Sequence, residues 1–239
     1  MAEFTAEGGA DDVQVSASSS SITADCSIEE VIAGMEHDEY KDNAVLLLQL
    51  LVNKVAETST VLQEKDAEML ILYTLHRLSM IIKEEGEERE ETVGNDRVNY
   101  YLLILNNVTH SEKNSLLFCE LVSHKNESLL PIFYKLVRRF LDYDIWNEKQ
   151  NIEELVITNG GGCFNNDDEE VEVSSDDWIA LDQYQHVASV LLNIAQVEAG
   201  RRIILNRSNG QYDFLKGVRH HISTRNACRR YGIVGTLRR

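Results

Sequence analysis

The sequence predicts an all-α fold, and three observations carry that expectation. A single proline and 13 glycines in 239 residues leave long stretches free of helix breakers. Apolar side chains recur at spacings of three and four, which gathers them on one side of a helix. No segment shows the strict alternation of a half-buried strand. With 43% hydrophobic and 26% charged residues, the chain holds one domain or two small ones with a real core.

Residues 1–26 combine Gly8-Gly9, Asp11-Asp12 and the serines at 18–21 with few large apolar side chains. Burial there returns too little to offset ordering entropy, so a disordered tail is expected, with the folded part at 27–239. Helical periodicity covers 45–55, 67–82, 98–108, 115–122 and 128–141, then 178–196, 200–206, 212–222 and 227–239. Pro131 falls in the first turn of its segment, where a missing N–H costs least, and marks a helix entry. Two stretches break the pattern. Residues 83–91, KEEGEEREE, and the Gly-, Asn- and acid-rich run at 158–177 show neither period and read as solvated loops. The second is long for a connection inside a domain and reads as an insertion. Ser174 and Ser175, beside Asp176 and Asp177, add a phosphorylation site as a secondary reading.

The helices repeat. Tyr184, Val187, Ala188, Leu191, Ile194 and Ala195 share one side of their segment, with His186, Ser189, Asn193 and Gln196 opposite. Moving 86 residues toward the N-terminus gives Val98, Tyr101, Leu102, Leu105 and Val108 in the same register, with Asn107 opposite. Moving 46 residues the other way places Ile233, Val234 and Leu237 on the buried positions. Two shorter segments lie between successive copies, so the unit is three helices, short, short and long. A period of about 40 to 47 residues is that of armadillo and HEAT arrays, whose units bury their apolar faces only by stacking. The expected architecture is therefore an armadillo/HEAT-like α-solenoid, with one repeat enlarged by the acidic insertion. Asparagines opposite the buried line, Asn107 and Asn193, have two readings of equal standing: they line a concave groove for a partner's backbone, or they tie neighbouring helices together.

Residues 184–201, YQHVASVLLNIAQVEAGR, followed by Arg229-Arg230-Tyr231-Gly232-Ile233-Val234-Gly235-Thr236-Leu237-Arg238, resemble the Hgh family of armadillo-like proteins. The resemblance weakens around 100–109, includes Phe164-Asn165 faintly, and over 1–95 rests on helical character alone. It implies a cytosolic chaperone or adaptor for translation elongation factor 2 that works with the ring chaperonin and performs no catalysis. Where that family continues past Gly-Thr-Leu-Arg into further repeats, this chain reads Arg239, so an incomplete last repeat is expected. The insertion at 167–177 is a second departure, and the resemblance gives it no role.

Charge is unevenly distributed. The chain carries -17 overall, which argues against bulk nucleic-acid binding, since polyanions bind through clustered Lys and Arg. Residues 201–239 hold ten Arg or Lys against Asp213 alone, +9 beside -26 for the remainder. That segment reads as a client-docking surface steered by charge complementarity, or as a solvated face paired with the chain's own acidic loops. The residues assigned to partner binding are Asn107, Asn193, Gln196, Arg229, Arg230 and Arg238. A generic armadillo scaffold with another client is the alternative.

Catalytic and metal signatures are lacking. Gly160-Gly161-Gly162 is not followed by G-K-S/T, and neither H-E-x-x-H nor G-x-S-x-G occurs. His220-His221 lack a third ligand and read as surface histidines. Cys26, Cys119, Cys163 and Cys228 are scattered and read as reduced thiols; Cys228 beside Arg229-Arg230 has a route to a lowered pKa, but no base-orienter pair is visible, and it reads as a small helix residue. The longest apolar run, 44–52, is too short to span a bilayer, and the first residues form no signal peptide. The N-x-S/T triplets at Asn107, Asn126 and Asn206 need a secretory context that is missing. The expectation is a cytoplasmic, monomeric, cofactor-free binding protein.

Overall fold

A computed structural model describes residues 26–36, 43–59, 61–84, 95–125, 129–143, 182–206 and 213–239. Every regular element among them is helical. The tail at 1–25, most of the acidic run at 83–91, the insertion at 158–177 with Cys163, and the serines at 174 and 175 lie outside the described residues.

The first helix, α1 (Ile28–Glu36), was not expected from periodicity. A capping box makes it: the Ser27 N–H donates to Glu30 Oε2 at 2.6 Å and the Glu30 N–H donates to Ser27 Oγ at 3.2 Å. Next come α2 (Ala44–Thr58) and the 21-residue α3 (Glu64–Glu84), whose first turn carries Glu64 and Asp66 at the positive end of the helix dipole. On α4 (Asn95–Val108) the expected line of Val98, Tyr101, Leu102, Leu105 and Val108 is buried, joined by Ile104. Ser111 accepts from the Asn114 N–H at 3.2 Å and starts α5 (Glu112–Glu120), which runs on into a π-helical turn, Leu121–Lys125. Pro131 lies in the first turn of α6 (Leu129–Leu141), which buries Phe133, Tyr134, Leu136, Val137 and Phe140.

Two of the remaining helices, α7 and α9, are shorter than the sequence pattern suggests. In place of 178–196 stand turns at 183–186 and α7 (Val187–Ile194). Residues 178–181 are not among those described. Then follow α8 (Glu198–Ile204), α9 (Phe214–Val218) with a 3₁₀ turn at His221–Ser223 in place of one helix over 212–222, and α10 (Ala227–Arg238). Asp213 and Asn226 cap the last two, accepting from the N–H groups of Lys216 and Arg229.

Packing arranges these elements in rows. α2 lies against α4, α4 against α7, and α7 against α10. A second row places α3 beside α6, and α9 meets the end of α6, where a Cβ on Gly217 would sit 2.8 Å from Leu141 Cδ1. α5 packs on α8 in a third. The α7–α10 contact is the most extensive. A Cβ on Gly232 would lie 2.5 Å from the Ala188 carbonyl carbon, so only glycine lets the two backbones approach this far.

That approach rotates α10 relative to the expected register. Its buried line is Arg229, Gly232, Ile233 and Thr236, whereas Val234 is half-buried and Leu237 is 42% exposed. Only Ile233 of the three anticipated residues is in the core.

Candidate protein-binding surface

The polar side of α7 meets α4 and α5. Asn193 Nδ2 donates to the Asn106 carbonyl at 2.9 Å, to Asn106 Oδ1 at 3.1 Å and to Thr109 Oγ1 at 3.3 Å. Gln196 Nε2 donates to Ser115 Oγ at 2.8 Å, with the Thr109 and His110 carbonyls at 3.4 Å. Ser115 in turn donates to the carbonyls of Thr109 and Asn193, at 2.7 and 3.1 Å. Of the two readings of Asn193, these contacts favour the structural one, and they revise Gln196 the same way: both amides spend their N–H groups holding α7 to the α4–α5 turn. Asn107 is half-buried one residue beyond the Asn193 partner.

Arg229 is corrected more sharply. Expected on a basic surface, it is 0% exposed. Its Nε and Nη2 each donate to one oxygen of Asp182, both at 2.8 Å, the fork geometry that suits a guanidinium to a carboxylate. Nη1 donates to the Phe140 carbonyl at 2.5 Å, and the guanidinium carbon lies 3.9 Å from the Phe140 ring centre and 4.5 Å from that of Tyr143. Asn226 joins the cluster through Gln185 Oε1 at 3.0 Å. One side chain thus links α10, the end of α6 and the entry to α7, and it is out of reach of any partner.

His221 also departs from its surface reading, at 2% exposed, while His220 is exposed. Its Nε2 lies 3.1 Å from the Leu141 carbonyl, which fixes the proton there and leaves Nδ1 to accept from Arg229 Nη1 at 3.2 Å. Burial first, and the Arg229 charge second, push its pKa down to about 4. His186 is pushed down to about 4 by burial alone. Cys228 sits 3.5 Å from His186 Nδ1 and 3.6 Å from Ser189 Oγ. Its thiol pKa is raised, not lowered: burial dominates, and the nearby Arg229 charge is already engaged by Asp182. Buried Cys119 is pushed up to about 12 by the same cause.

The exposed side of α10 is a different matter. Arg230, Tyr231, Val234, Leu237 and Arg238 fall on one arc at about 100° per residue, opposite the buried line. Tyr231 is 70% exposed, and Leu237 and Arg238 are exposed beside it. Half-buried Arg230 donates to the Thr224 carbonyl at 2.8 Å, and its guanidinium carbon is 5.6 Å from the Tyr231 ring centre. Two arginines around an exposed tyrosine and leucine form an amphipathic face of the kind enriched at protein interfaces. Tyr231 and Leu237 were missed because the repeat register put Leu237 inside and gave Tyr231 no role; the Arg-Arg-Tyr sequence was the available signal.

No group of three or more His, Cys, Asp or Glu is placed to hold a metal among the described residues. No helix there is long and apolar enough to cross a membrane. No curated protein and no solved structure matches the chain. A family model, described as a domain of unknown function, DUF383, matches residues 92–239, from just before α4 through α10. That span is more than half of the sequence and includes every residue assigned above to partner binding, and the chain therefore belongs to the DUF383 family.

Proposed function

We propose that the chain is an armadillo-like α-solenoid of three-helix repeats that binds a protein client without catalysis of its own. The client is translation elongation factor 2, held by a cytoplasmic chaperone or adaptor that works with the ring chaperonin. The observation that carries the solenoid is the stacking of α2, α4, α7 and α10 in succession, with α3, α6 and α9 in a parallel row. The shared register of α4 and α7 supports it, since positions 86 residues apart are buried together. The choice of client rests on the resemblance over 184–238. Client contact is assigned to the α10 face, Arg230, Tyr231, Leu237 and Arg238, with Asn107 as the groove residue.

The test is a pull-down from cell lysate. Elongation factor 2 and chaperonin subunits are the expected catch, and Arg230→Glu with Arg238→Glu lowers capture of the factor about tenfold, roughly 1.4 kcal/mol, with a weaker salt dependence. Chaperonin recovered without elongation factor 2 overturns this client in favour of an armadillo scaffold serving another protein. That second reading rests on the same α10 face, whose tyrosine and arginines suit more than one partner.

A further inference from the structure

At the opposite end of the helical rows, a cavity of about 570 Å³ opens between α1, α2, α3 and α4. Its size is within the range of pockets that take small organic ligands. Two guanidiniums line it, Arg77 from α3 and Arg97 from α4, along with Tyr73, and Met35, Leu48 and Met80 supply apolar wall. Among the described lining residues Glu36 is the one carboxylate, so positive charge is in surplus.

The guanidiniums are incompletely satisfied. The Nε atoms of both Arg77 and Arg97 are buried and have no hydrogen-bond partner. A guanidinium N–H buried without an acceptor is under demand for one, and these two belong to side chains that line the same cavity. Glu36 meets that demand poorly, because its Oε1 is 3.8 Å from Arg77 Nη2 and its side chain is mostly in solvent. Nε with its neighbouring Nη is the edge by which a guanidinium grips a carboxylate with two parallel bonds, and as both Nε atoms are shut from solvent, a ligand gains that edge by a turn of the side chain. Arg77 is also held in place, its guanidinium carbon 5.3 Å from the Tyr73 ring centre.

We propose that this cavity binds a carboxylate attached to an apolar group, the chemistry shared by an acidic residue beside a large apolar one in a peptide and by a small aryl or alkyl acid. Arg77 and Arg97 take the carboxylate, and the methionine and leucine walls take the apolar part. A single surplus charge suits a monoanion better than a doubly charged phosphate. The site stands on the α1–α4 geometry alone and is independent of the chaperone reading.

Isothermal titration of the full chain tests it with 3-phenylpropionate, its alcohol 3-phenylpropanol, inorganic phosphate, and the peptide acetyl-Leu-Glu-Phe-amide with its Gln counterpart. The acids are expected to bind and their neutral counterparts and phosphate to bind at least about tenfold more weakly, the worth of one charge-assisted hydrogen bond. The tighter of the two acids identifies the source. Arg97→Gln is expected to weaken acid binding about tenfold and Glu36→Gln to strengthen it, while Arg202→Gln on α8 leaves it unchanged. Thermal melts accompany each variant; the gain from Glu36→Gln is a readout that misfolding cannot imitate. Equal binding of acid and alcohol, no binding of either acid, or acid binding indifferent to both Arg97→Gln and Glu36→Gln overturns the proposal.

Discussion

At the scale of single residues, Arg229 shows how charge in a sequence misleads. Ten basic residues in the last 39 suggest a surface, yet one of them is the largest fully buried side chain of the described structure. Removing it alone leaves Asp182 charged, 2% exposed and without its cation. Arg229→Met is therefore expected to cost about 3–5 kcal/mol, read as a fall in the urea midpoint. Changing both partners, Arg229→Met with Asp182→Leu, removes the stranded charge and is expected to recover most of that loss. A double variant no more stable than the single would show that the guanidinium matters through its stacking on Phe140 and Tyr143 instead. Nothing in the run Cys-Arg-Arg-Tyr distinguishes Arg229 from Arg230. Their fates are separated by about 100° of helix rotation and by an aspartate 47 residues earlier.

At the scale of elements, the contact of α7 with α10 depends on a glycine. The atoms nearest a Cβ on Gly232 belong to the Ala188 backbone and side chain, at 2.5 to 2.6 Å, and backbone cannot step aside as a flexible side chain can. Gly232→Ala is expected to destabilise by about 1–3 kcal/mol in chemical denaturation. Ala188→Gly should rescue little, since the Ala188 carbonyl carbon and oxygen remain in the way. Gly200 is similar, its missing Cβ facing the Ile194 carbonyl, whereas at Gly235 the obstacle is the mobile end of Leu192, and Gly235→Ala should cost less. The short α1 illustrates the reverse error. Its apolar period is weak because only Val31 and Ile32 carry large buried side chains, but Ser-x-x-Glu at 27–30 announces its start. Ser27→Ala is expected to cost about 1 kcal/mol, seen as faster amide exchange confined to α1.

At the scale of the whole molecule, two histidines, His221 buried and His186 half-buried, tie stability to pH. His186 and His221 have folded pKa values near 4 against an ordinary value of 6.5. The unfolded chain therefore binds their protons first as pH falls. The stability is fully present above pH 6.5 and is lost as pH falls toward 4, by about 3 kcal/mol for each histidine. Melting temperature should accordingly fall over that window, and His221→Asn, though less stable overall, should show a shallower fall. An unchanged slope would place the sensitivity elsewhere. The sequence by itself determined that the described chain is helical, where α2 to α6 begin and end to within a few residues, and that α4 and α7 share a buried register. Helical period, proline placement and apolar spacing are local properties, and they suffice for those conclusions. Which polar residues stay at the surface was decided only by tertiary structure. Asn193, Gln196 and Arg229 occupy polar positions of the sequence pattern, but each satisfies a group on another helix, whereas Leu237 falls on the buried register and faces outward with Tyr231. The physical reason is the approach of α10 to α7 across Gly232, which sets the rotation of the last helix and so chooses its buried and exposed sides.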